Sequence, residues 1–120
     1  MSYTKRIRPH VEAELEAYES ACIAGDFNTA FVHLERAHIL GQASTRLHVR
    51  VHLAMLRLAL RQRQTGAAWG QLFRLIGAAL FTAIGLVPNG NTGGSNVSAF
   101  KPMEISADLQ RLISKASLDE

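Results

Sequence analysis

The chain has 120 residues, of which 48% are hydrophobic and 19% charged, a balance that supports a packed core and excludes a wholly disordered polymer. A formal charge of +3 and a pI near 9.5 are too modest to make nucleic acid the expected partner. The single cysteine, Cys22, excludes an intramolecular disulfide and a thiolate-rich metal site within one chain, and fits a reducing cytoplasm.

The first ten residues carry charge without an apolar stretch behind them, so no secretory signal is expected. From about Pro9 to Ala24, Val11, Leu15, Tyr18, Cys22 and Ile23 recur at helical spacing, with Glu12, Glu14, Glu16 and Glu19 largely on the other sides. This predicts an amphipathic helix opening on proline, whose missing N–H is harmless in a first turn. Gly25-Asp26 should end it and cap a second helix over about Phe27 to Leu40, with Ala30, Phe31, Leu34, Ala37 and His38 on its inner face. Ala21, Gly25, Ala30, Leu34 and Ala37 stand as in the centre of a tetratricopeptide repeat, and about 30 residues resemble one. No second copy follows at that period. The resemblance therefore implies an αα-hairpin without a peptide-binding groove.

Ser44 or Thr45 should cap a third helix reaching about Gln64, apolar at Leu47, Val51, Ala54, Met55 and Leu58. Arginines 46, 50, 57 and 61 form an exposed stripe on it, best read as a solvated face because no base-stacking aromatics accompany them. A fourth helix is expected over about Gly66 to Leu86, carrying Trp69, Leu72, Phe73, Leu75, Ile76, Leu80, Phe81 and Ile84. Its apolar run between Arg74 and Pro88 is 13 residues, short of the roughly 20 that a membrane span needs. A buried helix or a homodimer surface over 66–86 is the expectation, and membrane association is disfavoured. After Pro88 the turn-forming stretch Asn89–Ser98 ends the bundle, and Ser106 should cap a short terminal helix packed by Leu109, Leu112 and Ile113. The whole reads as one all-α domain over 1–120. Residues 1–87 form a four-helix antiparallel hairpin bundle, and 88–120 an ordered loop with the short C-terminal helix.

The candidate chemistry lies in Glu35-Arg-Ala-His38 and His48-Val-Arg-Val-His52. Residues three or four apart share a helix face, so a hairpin between the second and third helices can bring one carboxylate and three imidazoles together. Glu35, His38, His48 and His52 are the expected metal ligands, with His10 and Glu14, four apart on the first helix, as the second choice. Nitrogen and oxygen donors suit a divalent transition metal, zinc first, with iron, cobalt and copper as alternatives. Imidazoles bind metal when neutral, so affinity should fall below about pH 6.5, the unperturbed histidine value. His33 is expected on the surface, since it is nearly opposed to Glu35. No general base or nucleophile stands apart from these ligands, so metal handling is favoured over catalysis. The loop containing Gly90, Asn91, Thr92, Gly93, Gly94 and Asn96 lacks the ending of a P-loop and reads as a turn, or as a ligand or partner loop.

Three strings, His33-Leu-Glu-Arg-Ala-His-Ile-Leu-Gly-Gln42, His48-x-x-x-His52-x-x-Met55-Leu56 and Pro88-x-Gly-Asn-Thr-Gly-Gly94-x-Asn96-Val97-Ser98, run through the chain. In them it resembles a family of small bacterial proteins classed as a domain of unknown function. That resemblance implies a single small domain, sometimes encoded near metal-transport or metal-resistance genes, and carries no activity of its own. The expected function is a cytoplasmic metal-binding protein in transition-metal handling or resistance. A metal-free interaction or dimerisation module is the alternative, and a small metalloenzyme comes third.

Overall fold

The computed structural model describes residues 2–62, 69–75, 77 and 104–118, and every regular element among them is a helix. Helix α1 spans Tyr3–Ile23, α2 Phe27–Gly41 and α3 Thr45–Arg61. Residues 69–75 and 77 are helical (α4), and α5 spans Ala107–Ser117. The chain is all-α.

Helix α1 begins six residues before the expected proline start, and Pro9 lies inside it. An internal proline removes a hydrogen bond and costs about 3 kcal/mol. Tertiary contacts of the preceding turn offset that cost. Ser2 caps the helix by accepting from the Lys5 amide at 3.3 Å, and Ile7 is fully buried, worth about 1.5–3 kcal/mol. The Tyr3 hydroxyl donates to the Leu40 carbonyl at 3.0 Å, and Arg6 Nε donates to the Ala116 carbonyl. Each is a further contribution on the order of 1 kcal/mol. The start of α1 is thus fixed by α2 and α5, which local sequence rules do not see.

Gly25 adopts φ +75°, a conformation that costs an L side chain and not glycine. With it in place the Gly25 and Asp26 amides turn back onto the Cys22 and Ala21 carbonyls. Asp26 then caps α2, accepting from the Thr29 amide at 3.1 Å and from its hydroxyl at 2.6 Å. These bonds hold its carboxyl below the usual range. The tight turn makes α1 and α2 antiparallel, as the Tyr3–Leu40 and Glu14–His33 contacts confirm. Val11, Leu15, Tyr18 and Cys22 of α1 and Ala30, Leu34 and Ala37 of α2 belong to one buried core.

A second tight connection returns α3 against α2. Gly41 is the last residue of α2 rather than a stop beyond it; a Cβ there would lie 3.1 Å from Leu47 Cβ, so glycine permits the close approach. Ser44 caps α3 and also accepts from Thr4 Oγ1 at 2.8 Å, which ties this turn to α1. Leu47, Val51, Met55 and Leu58 enter the core, and arginines 46, 50, 57 and 61 remain exposed. Arg50 meets Glu12 at 3.4 Å, and the Arg61 guanidinium lies 5.8 Å from the Phe27 ring centre.

Helix α4 places its side chains in an unexpected order. Gln71 is buried at 2% exposure, whereas Trp69 and Phe73 are 72% and 81% exposed. Trp69, Leu72 and Phe73 share one face by their spacing, and Gln71 stands opposite. No helix among the described residues is long and apolar enough to cross a membrane. The remainder of the expected fourth helix, and the loop residues Gly90, Asn91, Thr92, Gly93, Gly94 and Asn96, lie outside the described residues.

Candidate metal centre

The two helix-to-helix turns determine which polar residues meet. Because α2 and α3 are antiparallel about Gly41–Ser44, His38 near the end of α2 faces the first two turns of α3, where His48 and His52 stand one turn apart. All three are buried, at 2%, 5% and 2% exposure. Their Nε2 atoms form a triangle with sides of 2.8 Å (His38–His48), 3.0 Å (His38–His52) and 3.2 Å (His48–His52). The rings meet edge to face or tilted, with centres 4.6–4.8 Å apart. Three nitrogens therefore converge on one point.

Hydrogen bonding among the imidazoles does not satisfy this arrangement. On the far side of His52, Nδ1 lies 2.7 Å from Gln71 Oε1. An amide oxygen only accepts, so His52 Nδ1 carries the proton and its Nε2 offers a lone pair. If either His38 or His48 donates from Nε2, one lone-pair contact within the triangle is left. If both donate, two N–H groups face each other across 2.8 Å. Protonation is opposed as well: desolvation, then the charge of His52, pushes His48 down to about 3. Desolvation also pushes His52 down to about 4, against the bond it donates to Gln71 and helped by the nearby Arg74 guanidinium. Proton competition at these two residues therefore sets in well below the pH 6.5 expected of an unperturbed imidazole.

A metal cation would accept a lone pair from each of the three Nε2 atoms at once. For metal–nitrogen distances of about 2.0–2.1 Å, right-angle to tetrahedral coordination separates adjacent nitrogens by roughly 2.8–3.4 Å. The triangle fits that spacing at its tight end. Among the described residues, His38, His48 and His52 are the group of donors close enough to hold an ion.

The other expected donors are placed differently. Glu35 is half-buried one turn before His38 on α2, and its carboxylate is not one of the gathered donor atoms. Glu14 is engaged elsewhere, with one oxygen accepting from His33 Nδ1 and the other from Arg36 Nε, each at 2.8 Å. Arg36 also reaches Asp108 of α5, and this bond, with one from the Ser106 hydroxyl, holds the Asp108 carboxyl well below the usual carboxylate range. His33, expected on the surface, is thus partly buried in a clasp between α1, α2 and α5. His10 is half-buried on α1 and outside the histidine cluster. Sequence reasoning missed Gln71; the available signal was a lone amide between Trp69 and the apolar pair Leu72-Phe73.

A family model described as "Protein of unknown function (DUF3703)" matches residues 5–113, which include all three histidines and Gln71. The chain belongs to the DUF3703 family. No curated protein and no solved structure matches it.

Proposed function

We propose that the protein binds one divalent transition metal through His38, His48 and His52, and that it serves metal handling in the cytoplasm. The observation that carries this reading is the Nε2 triangle of 2.8–3.2 Å, whose members cannot all satisfy one another by hydrogen bonds. Zinc is the expected occupant, because a neutral imidazole set with no demand for redox chemistry suits a borderline ion. Iron, cobalt and copper are the alternatives. Glu35 is the proposed fourth donor, reached by a rotamer change on the same helix face as His38.

The residues present define what the site can do. Three neutral donors leave the charge of a dication uncompensated, so an anionic fourth ligand, a carboxylate or hydroxide, is favoured. Burial excludes bulk water and shields the ion from exchange, which suits retention or transfer more than rapid turnover.

The test is elemental analysis and cobalt(II) titration of untagged protein, beside the variant His48→Ala/His52→Ala. The expected result is one equivalent of metal in the wild type and none in the variant. Wild-type protein that stays empty after titration with zinc, cobalt, copper and ferrous iron contradicts the proposal.

A second reading rests on the outward face of α4, where Trp69, Leu72 and Phe73 are exposed. Such a face suits a homodimer contact through 66–86. It predicts self-association that persists in chelator and is lost in Trp69→Ser/Phe73→Ser, as measured by sedimentation.

A further inference from the structure

Gln71 is buried on the inner face of a helix whose opposite side carries exposed aromatics. A helix that turns an amide inward and Trp69 and Phe73 outward reverses the usual preference, so a specific partner must hold the amide. His52 is such a partner for its oxygen: His52 Nδ1 lies 2.7 Å from Gln71 Oε1. An imidazole has two ring nitrogens and, when neutral, one proton, so fixing the proton on Nδ1 leaves Nε2 as the lone pair. Nε2 is the atom that faces His38 and His48 at 3.0 and 3.2 Å.

We infer that Gln71 is a positioning residue of the metal centre, holding His52 in the tautomer whose Nε2 faces the ion and tying α4 to the site. The inference rests on the metal reading for its function, but its geometric content stands alone. Without the amide oxygen, His52 is free to take the proton on Nε2, where it would block one corner of the triangle. The ring would also lose the contact that fixes its rotation. Partners of this kind in metal sites typically contribute 10- to 100-fold in affinity.

The experiment compares wild type, Gln71→Leu and Gln71→Glu in two measurements on the full-length chain. Long-range nitrogen-15 NMR of metal-free protein reads which nitrogen of His52 carries the proton, with His52→Asn assigning the signal. Cobalt(II) titration followed by visible absorption reads affinity. The expected result is an Nδ1-protonated His52 in the wild type, loss of that preference in Gln71→Leu, and a 10- to 100-fold weaker cobalt affinity in that variant. Gln71→Glu, which keeps an oxygen acceptor, should retain the tautomer and bind cobalt at least as tightly as wild type. Unchanged tautomer and affinity in Gln71→Leu overturn the inference. If that variant does not fold, the wild-type spectrum decides, because a proton on Nε2 of His52 overturns it without any substitution. Failure of wild type to bind cobalt overturns the metal reading instead, and leaves the tautomer result to judge Gln71 by itself.

Discussion

Among the described residues, the Glu14 clasp and the histidine cluster both join helices through polar side chains, and they are satisfied in opposite ways. In the clasp, Glu14, His33, Arg36 and Asp108 bring opposite charges and complementary donors and acceptors together. In the other cluster, His38, His48 and His52 bring three like nitrogens together in a buried site. The clasp pairs each acceptor with a donor, whereas the three Nε2 atoms of the histidine cluster compete with one another for the same roles. Histidine content alone does not separate the two, since the clasp also contains an imidazole; what separates them is whether neighbouring groups complete each other's bonding.

The comparison is broken most sharply by removing the imidazoles. His48→Ala/His52→Ala should lower cobalt affinity by at least a thousandfold, and the zinc-dependent rise in melting temperature should vanish with it. A ligand at a hundred times its dissociation constant contributes about 2.7 kcal/mol of stability. Calorimetry with and without zinc checks this.

Acid separates the regions next. In the metal-free protein His48 and His52 have folded pKa values of about 3 and about 4, below an unfolded value of 6.5. Between 6.5 and those values the unfolded chain binds more protons, so stability falls as pH falls, by up to about 1.4 kcal/mol per pH unit for each histidine. The loss begins near pH 6.5, ends near 4 for His52 and near 3 for His48, and is absent at higher pH. The Asp108 carboxylate, held low by Arg36, contributes stability above its ordinary range that is lost only in stronger acid. Denaturant titrations from pH 8 to 3 should therefore show a first decline near 6.5, and His48→Leu should flatten it while Arg36→Met does not.

Glu35→Gln sharpens the account of the fourth donor. The expected loss is about tenfold in cobalt affinity, a smaller effect than removing an imidazole. An unchanged affinity in the titration would remove Glu35 from the site and leave the three histidines. The smallest effect belongs to the clasp: Arg36→Met should cost on the order of 1 kcal/mol, because its partners are partly exposed. Cobalt affinity should stay unchanged in that variant.

The spacing of His48 and His52, and of His38 near the end of the preceding helix, was legible because helical periodicity and one tight turn are enough to bring those positions together. The inward face of α2 was legible too: Ala30, Leu34, Ala37 and His38 are buried as their spacing predicts, while Phe31 and Glu35 remain half-buried. Pro9 misled because first-turn proline is a local rule, whereas Tyr3, Ile7 and Arg6 hold the earlier turn through α2 and α5. The Arg36–Asp108 bond spans 72 positions, and no local pattern predicts such a pair. Gln71 belongs to the same class: it meets His52, 19 residues away on another helix.

X-ray absorption at the zinc edge of stoichiometrically loaded, untagged protein tests the central claim most directly. The account predicts a first shell containing three imidazole nitrogens at about 2.0–2.1 Å with the multiple-scattering pattern of histidine rings. A first shell of oxygen donors with no imidazole scattering, or one that persists unchanged in His48→Ala/His52→Ala, would contradict it.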